Sequence, residues 1–274
     1  MNWIVIVLIF IGIGIILDRE IYFYEGAHLG PRLQSWLYDR WSKKYDVGKR
    51  ASQLRDDAML AQPLLDNLKD VPEPFLLDFA TGTGRLSFVL ISRSDFNGRI
   101  IALDISQGML EQAAIKLHSA SHRVELLRHQ SMPLPFPDAA FDAVCCLEVL
   151  ELLPNPQAAL NEMSRLLRPG GILLTSRGTE ESGRKAKVKS EAELTFMLQA
   201  SGFENIQITK WWKLFDRVLA NKSGIANRVG VKSLKDVLKC SSCAATQWRK
   251  TSNALQCRNC GKELMISKEG IVLS

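Results

Sequence analysis

Charge is missing from the first stretch of the chain. Residues 3–17 carry none and are almost entirely Ile, Val, Leu, Phe and Gly. No basic residue precedes this run and no small-x-small site follows it, which argues against a cleaved secretory signal. A polar face is missing as well, and a helix packed on a soluble core normally keeps one. These absences leave a membrane-anchor helix over residues 1–20 as the expectation. At 1.5 Å per residue the uncharged run spans roughly 22 Å against a hydrocarbon core of about 30 Å, so it is short. Trp3 at one interface and the apolar residues 21–24 would extend it. Arg19, Arg32, Arg40, Lys43 and Lys44 all follow the segment, which places the body of the protein on the cytoplasmic side.

Aromatics are absent from the basic stretch 221–239, where Lys222, Arg228, Lys232, Lys235 and Lys239 are opposed by Asp236 alone. Such a stretch can follow a phosphate backbone, but it offers no platform for stacking bases. The net charge of +6 is mild and suits an anionic membrane surface, an RNA partner or ordinary solubility. With 274 residues, 46% of them hydrophobic, the chain can bury a full core and still carry appendages.

The chain is organised around residues 75–87. An apolar run, Phe75 to Phe79, reads as a buried parallel strand; Gly82-Thr83-Gly84 reads as a turn; Leu86, Val89 and Leu90 begin an amphipathic helix. Glycine at both turn positions lets the backbone take left-handed angles and lets a ligand approach without meeting a Cβ. Asp104 closes the next strand twenty residues after Gly84, the spacing of a ribose-binding acid. The third glycine of a dinucleotide fingerprint is absent, with Ser87 in its place. A nucleoside ligand without a diphosphate fits that gap, and S-adenosylmethionine is the obvious one.

These residues resemble the class I S-adenosylmethionine-dependent methyltransferases. Asp78 to Gly84 is similar to their first motif, Ala102 to Leu110 to their second, Leu134 to Asp142 to the approach to the fourth strand, and Leu167 to Gly171 to the turn into the fifth. Within that superfamily the motifs are similar to those of quinone-biosynthesis C-methyltransferases. The resemblance implies an α/β, Rossmann-like, mostly parallel seven-stranded sheet. It assigns cofactor binding to Asp78, Thr81, Gly82, Thr83, Gly84, Asp104, Ile105, Gln130, Ser131 and Leu147. Gln130-Ser131 stands where relatives often carry Asp-Ala against the adenine, and a glutamine carbonyl can still accept from the adenine amino group. Tyr38-Asp39 and Tyr45-Asp46 resemble pairs that cover the cofactor; packing of a helix onto the sheet is the competing reading.

No catalytic residue is identified. Glu148, Glu151, His129 and Tyr45 are near enough by motif position to be tested as a base, and Leu152 stands where many relatives carry His. Cys145 and Cys146 lie in an apolar strand and read as small buried residues. The patch formed by Trp211, Trp212, Leu214 and Phe215 reads as core at the sheet edge or as an acceptor-pocket wall. The polar segment 177–189 reads as a surface loop whose Arg184, Lys185, Lys187 and Lys189 are a solvated face or a contact for lipid head groups.

Cys240-x2-Cys243, thirteen residues, then Cys257-x2-Cys260 has the spacing of a closed four-cysteine zinc site, with one hairpin between the knuckles. A disulfide pair is the competing reading, which a cytoplasmic location disfavours; four ligands would leave no open position, so the metal is structural. Residues 240–273 resemble the zinc-ribbon activator of tRNA, rRNA and release-factor methyltransferases. The expected organisation is thus an anchor (1–20), a helical cap (21–70), a methyltransferase domain (71–220), a basic linker (221–239) and a ribbon (240–274). The leading function is a membrane-anchored methyltransferase of a lipid-like or quinone-like small molecule. A methyltransferase of RNA or protein is the runner-up and a non-catalytic scaffold the third reading.

Overall fold

The apolar runs of the sequence become the strands of one large sheet. In the computed structural model, which describes residues 3–179, 181 and 190–274, these are β1 (Phe75–Phe79), β2 (Arg99–Asp104), β3 (Val124–Arg128), β4 (Phe141–Cys146), β5 (Leu167–Gly178), β6 (Phe203–Lys210) and β7 (Phe215–Lys222). The sheet runs in the order β3-β2-β1-β4-β5-β7-β6, parallel except for β7, which is antiparallel to both neighbours. An eighth strand, β11 (Val272–Leu273), adds in parallel to the outer edge of β3. The expected seven strands become eight because a two-residue strand carries no periodicity to read.

Alternation along β1 divides the core. Leu76 faces one side with α3 (Gln62–Asn67), α4 (Arg85–Ile91) and α5 (Gln107–Lys116), through Leu64, Leu86, Leu90, Leu110 and Ala113. Phe75, Leu77 and Phe79 face the other, with α6 (Pro156–Leu166) and α7 (Glu191–Ala200). Period-two side chains on a sheet covered on both faces require such apolar runs. Trp211 and Phe215 are buried in the first of these layers, so the aromatic patch is core. Cys145 and Cys146 are fully buried, and burial pushes both thiols well above the usual range, which leaves them inert packing residues. Arg177 and Gly178, expected in a loop, continue β5, and Arg177 pairs with Asp216 on β7. The expected lipid-contacting cluster at 184–189 lies outside the described residues.

The stretch 221–239 is not a free basic tail. Leu234, Val237 and Leu238 are buried in the second layer, in and just after α8 (Leu234–Val237), and the Lys239 N–H donates to the Pro135 carbonyl at 2.7 Å. Beyond it, β8 (Trp248–Lys250), β9 (Ala254–Cys257) and β10 (Glu263–Met265) form an antiparallel ribbon. Cys240, Trp248, Leu255, Cys257 and Leu264 belong to the same buried cluster as Phe75 and Phe141, so the ribbon shares the main core.

At the other end, α1 (Trp3–Asp18) buries no residue. It is not a core helix. Neither is it a membrane span, since no helix among the described residues is long and apolar enough to cross a membrane. One wide turn later, Glu20 accepts from the His28 N–H at 3.2 Å and Tyr22 stacks on Trp41 of α2 (Pro31–Gln53), tying the base of α1 to the body.

Candidate active site

The carboxyl ends of β1, β2, β3 and β4 converge on a cavity of about 480 Å³ roofed by the start of α2. Ligands in open parallel sheets sit at this edge because strand ends leave loops free to carry side chains. Gly82, Asp104, Ile105, Gln130, Ser131 and Leu147 line it. Asp78, Thr81, Thr83 and Gly84, also expected to bind cofactor, are not among its lining residues, and each has another task. The buried Asp78 carboxylate accepts from the Thr81 and Ser87 hydroxyls, both at 2.7 Å. Ser87, in the place of the missing glycine, therefore ties the first turn of α4 to the end of β1. Thr83 donates to Asp46 at 2.6 Å, and Lys116 pairs with the same carboxylate at 2.6 Å.

The two glycines of the turn divide their work. Both have positive φ, 56° at Gly82 and 75° at Gly84. A Cβ on Gly84 would lie 2.8 Å from Leu117 Cδ1, so this glycine serves the contact between the turn and α5. A Cβ on Gly82 would meet nothing within 4 Å, so this glycine leaves open the space a ligand would use.

Asp104 carries the polar contacts. Its Oδ2 accepts the Gly82 N–H at 2.8 Å and its Oδ1 the Ser106 N–H at 2.9 Å. A carboxylate has about four acceptor positions, so two remain for the hydroxyls of a ribose. Burial, outweighing these N–H bonds, pushes its pKa up to about 6. At the adjacent strand end the Gln130 amide donates to the Ile105 carbonyl at 3.4 Å, which leaves its own carbonyl for an adenine amino group. The geometry fits S-adenosylmethionine: space over Gly82, an acidic partner for the ribose and an amide beside the adenine position.

The helical lead-in borders the cavity and also packs onto the strand ends. Tyr38 and Tyr45 line the cavity, while Asp39 accepts from the Ser106 hydroxyl at 2.6 Å and the Gly108 N–H at 2.8 Å. A cluster across the cavity wall was not expected. Glu148 stands at the end of β4 with φ 58°, a strained angle for a residue with a side chain. Lys49 bonds one of its oxygens and Arg85 the other, the latter at 2.9 Å. Arg85 also pairs with buried Asp56 at 2.6 Å and lies over the Trp211 ring at 5.0 Å. Only the left-handed backbone at Glu148 has a local origin; Lys49 and Arg85 lie 99 and 63 residues from it.

Residues 77–175 match the family model described as a methyltransferase domain. Over that stretch the chain is similar to a methyltransferase domain. The ubiquinone/menaquinone biosynthesis C-methyltransferase UbiE of Roseobacter denitrificans is 30% identical over 152 residues, covering 55% of this chain and 60% of that protein. The demethylmenaquinone methyltransferase of Mycobacterium tuberculosis is 34% identical over 144 residues, 53% of this chain and 58% of that one. The chain thus spans about 60% of the length of the curated relatives it matches. Among solved structures, a SAM-dependent methyltransferase of Aquifex aeolicus superposes with TM-score 0.52 at 22% identity, over 67% of this chain and 98% of that one. A chain from the complex of the Haloferax volcanii Trm112 methyltransferase activator with a methyltransferase gives TM-score 0.53 at 18% identity, over 68% and 98%. The [4+2]-cyclase SpnF gives 0.52 at 23% identity, over 61% and 80%. At such identities the likeness is one of fold.

The four ribbon cysteines come together as their spacing predicts. Cys240 and Cys260 sulfurs are 3.5 Å apart, Cys243 and Cys257 sulfurs 3.6 Å, and all four lie within 4.8 Å of one another. A disulfide needs about 2.05 Å, whereas four sulfurs at about 2.3 Å from a tetrahedral zinc stand about 3.8 Å apart. The donor set therefore fits a structural zinc held by all four thiolates.

Proposed function

We propose that this chain is an S-adenosylmethionine-dependent methyltransferase of a quinone-like, lipid-soluble acceptor. The observation that carries the reading is the two-ended cavity. Asp104, Gly82 and Gln130 give one end the chemistry of a nucleoside site, while Met132, Leu134, Val149, Leu152, Leu153 and Pro154 make the rest apolar. The similarity to UbiE and to demethylmenaquinone methyltransferases supports the acceptor class.

Bound S-adenosylmethionine supplies a methyl group on a sulfonium cation, open to in-line displacement. The chain's part is alignment: Asp104 fixes the ribose, Gly82 leaves the turn open, and the apolar wall holds a flat ring and excludes water. Glu148, with both oxygens engaged by cations, belongs to the wall. Burial pushes the Tyr45 hydroxyl up to about 12, against the opposing pull of Lys49, so at neutral pH it is a neutral donor for an acceptor oxygen.

The proposal includes attachment to a membrane on its cytoplasmic side. Residues 3–17 of α1 are apolar all round and α1 buries nothing, and lipid covers every face of such a helix at once. It would enter lipid without crossing, with the basic residues that follow it at the head groups.

The test supplies radiolabelled S-adenosylmethionine to purified protein with a cell extract containing membranes, then partitions the label. Label in the lipid fraction, reproduced with a demethylated quinol in vesicles, is the expected result. Label in RNA or protein would replace the acceptor class. Cofactor binding with no transfer to any fraction would end the enzymatic reading, as the fold of a cyclase warns. In flotation with anionic vesicles, the full chain should rise with lipid and a chain lacking residues 3–17 should not, with its thermal transition unchanged. A full chain that stays at the bottom overturns the membrane part.

A further inference from the structure

The ribbon reaches the cofactor cavity. Just past β10, Ile266 bridges to Val272 of β11, and β11 pairs Val272 with Leu127 and Leu273 with Arg128, in register with the outer edge of β3. Ser274 follows, and both its N–H and its hydroxyl donate to the Arg128 carbonyl, at 3.1 and 3.0 Å. With its hydroxyl turned to Arg128, the Ser274 oxygen has lone pairs free for the next group. That group is His129, whose Nδ1 lies 2.9 Å away. Its Nε2 lies 3.1 Å from the Ser131 hydroxyl. Both His129 and Ser131 line the cavity, beside Asp104 and Gln130.

The hydrogens follow from this order. Burial lowers the His129 pKa below its ordinary value, so the ring is neutral at neutral pH and carries one proton. The assignment that keeps the Ser274 hydroxyl on the Arg128 carbonyl puts this proton on Nδ1, toward Ser274, and leaves Nε2 to accept from the Ser131 hydroxyl. Ser131 then offers the cavity only oxygen lone pairs, suited to the amino group of a bound adenine.

We infer that the four-cysteine ribbon is a built-in brace of the cofactor cavity: through β11 and Ser274 it fixes the His129 tautomer and aims Ser131, so metal in the ribbon and nucleoside in the cavity strengthen each other's binding. Ser274 and His129 are positioning residues. The inference rests on the cavity being the S-adenosylmethionine site. Coupling of two binding sites is reciprocal, so each ligand must raise the affinity for the other by the same factor.

The test uses the full chain loaded with one zinc per molecule. Calorimetry should give Ser274→Ala a loss of S-adenosylmethionine affinity of roughly three- to tenfold, the range for one neutral hydrogen bond, with zinc content unchanged and Ser274→Thr restoring it. Imidazole nitrogen NMR should report a His129 Nδ1–H tautomer in the wild type and its loss in Ser274→Ala, a change that simple loosening of the strand does not specify. S-adenosylmethionine should raise the chelator concentration needed to strip the zinc, and do so less in Ser274→Ala. An Nε2–H tautomer in the wild type, or Ser274→Ala affinity within twofold of wild type together with chelator resistance indifferent to S-adenosylmethionine, overturns the brace while leaving the cofactor reading intact. A wild-type chain that binds no S-adenosylmethionine removes both.

Discussion

Replacing Asp104 by Asn separates what this residue costs the fold from what it offers a ligand. The shift from an ordinary 3.8 to about 6 is caused first by burial, against N–H bonds from Ser106 and Gly82. About two pKa units correspond to roughly 3 kcal/mol by which the folded, empty protein is penalised for an ionised Asp104 at neutral pH. The contribution has a definite direction. It favours folding fully below the unfolded pKa near 3.8 and is lost as the pH rises through about 6. Asn removes that penalty, but its NH2 group must face one of the two backbone donors, which costs about 1–3 kcal/mol. The two effects nearly cancel, so the melting temperature should move by no more than a few degrees.

Binding should not be spared. The two acceptor positions left on Asp104 are worth about 1.5–3 kcal/mol as hydrogen bonds to a charged group, or roughly 10- to 150-fold in S-adenosylmethionine affinity. Calorimetry between pH 5 and 8, paired with thermal denaturation, checks both parts. Wild-type affinity should rise with pH through about 6, as the carboxylate forms, while wild-type stability relative to Asp104→Asn declines over the same interval. A variant that binds within twofold of wild type at pH 7.5, or a wild-type affinity flat across that range, refutes the reasoning.

The two turn glycines should fail differently. Gly84→Ala drives a methyl group to 2.8 Å from Leu117 Cδ1 and should cost about 1–3 kcal/mol of stability, read by denaturant titration. Gly82→Ala meets no protein atom and should cost only the backbone strain of about 1–2 kcal/mol, yet lower cofactor affinity more than Gly84→Ala does. Glu148→Gln should destabilise by about 3–5 kcal/mol, because Lys49 loses its ion-pair partner while Arg85 keeps Asp56. Lys49→Met should restore part of that loss in the double variant; unchanged stability with abolished turnover would make Glu148 a base instead.

The sequence made the middle of the fold legible because parallel strands covered on both faces must be apolar runs, and a tight turn between strand and helix must find residues that tolerate positive φ. Gly82, Gly84 and Asp104 could be placed on those grounds. The same motif letters did not separate residues that line the cavity from residues that hold the turn: Asp78, Thr81 and Thr83 spend polar atoms on their neighbours. Contacts remote in sequence left no local signal. Lys49 meets Glu148 across 99 residues and Ser274 meets His129 across 145. The exposure of α1 was legible from its missing polar face, whereas its length fell short of a crossing.

What the cavity offers a reaction is narrower than its list of titratable neighbours. Glu148 has both oxygens occupied by Lys49 and Arg85, so taking a proton would break two ion pairs. Tyr45, pushed up to about 12, keeps its proton at neutral pH and can donate it to a hydrogen bond without acting as a phenolate base. His129 stands at the Gln130 end of the cavity, with its two ring nitrogens within hydrogen-bond distance of Ser274 and Ser131. Methyl transfer from a sulfonium does not demand more, since aligning an electron-rich acceptor with the methyl carbon accounts for most of the acceleration such a reaction needs. A wall of apolar side chains around one donor hydroxyl suits a reduced aromatic ring whose own oxygen supplies the electron density. An acceptor amine that had to lose a proton first would find Glu148 held by two cations and Tyr45 still protonated.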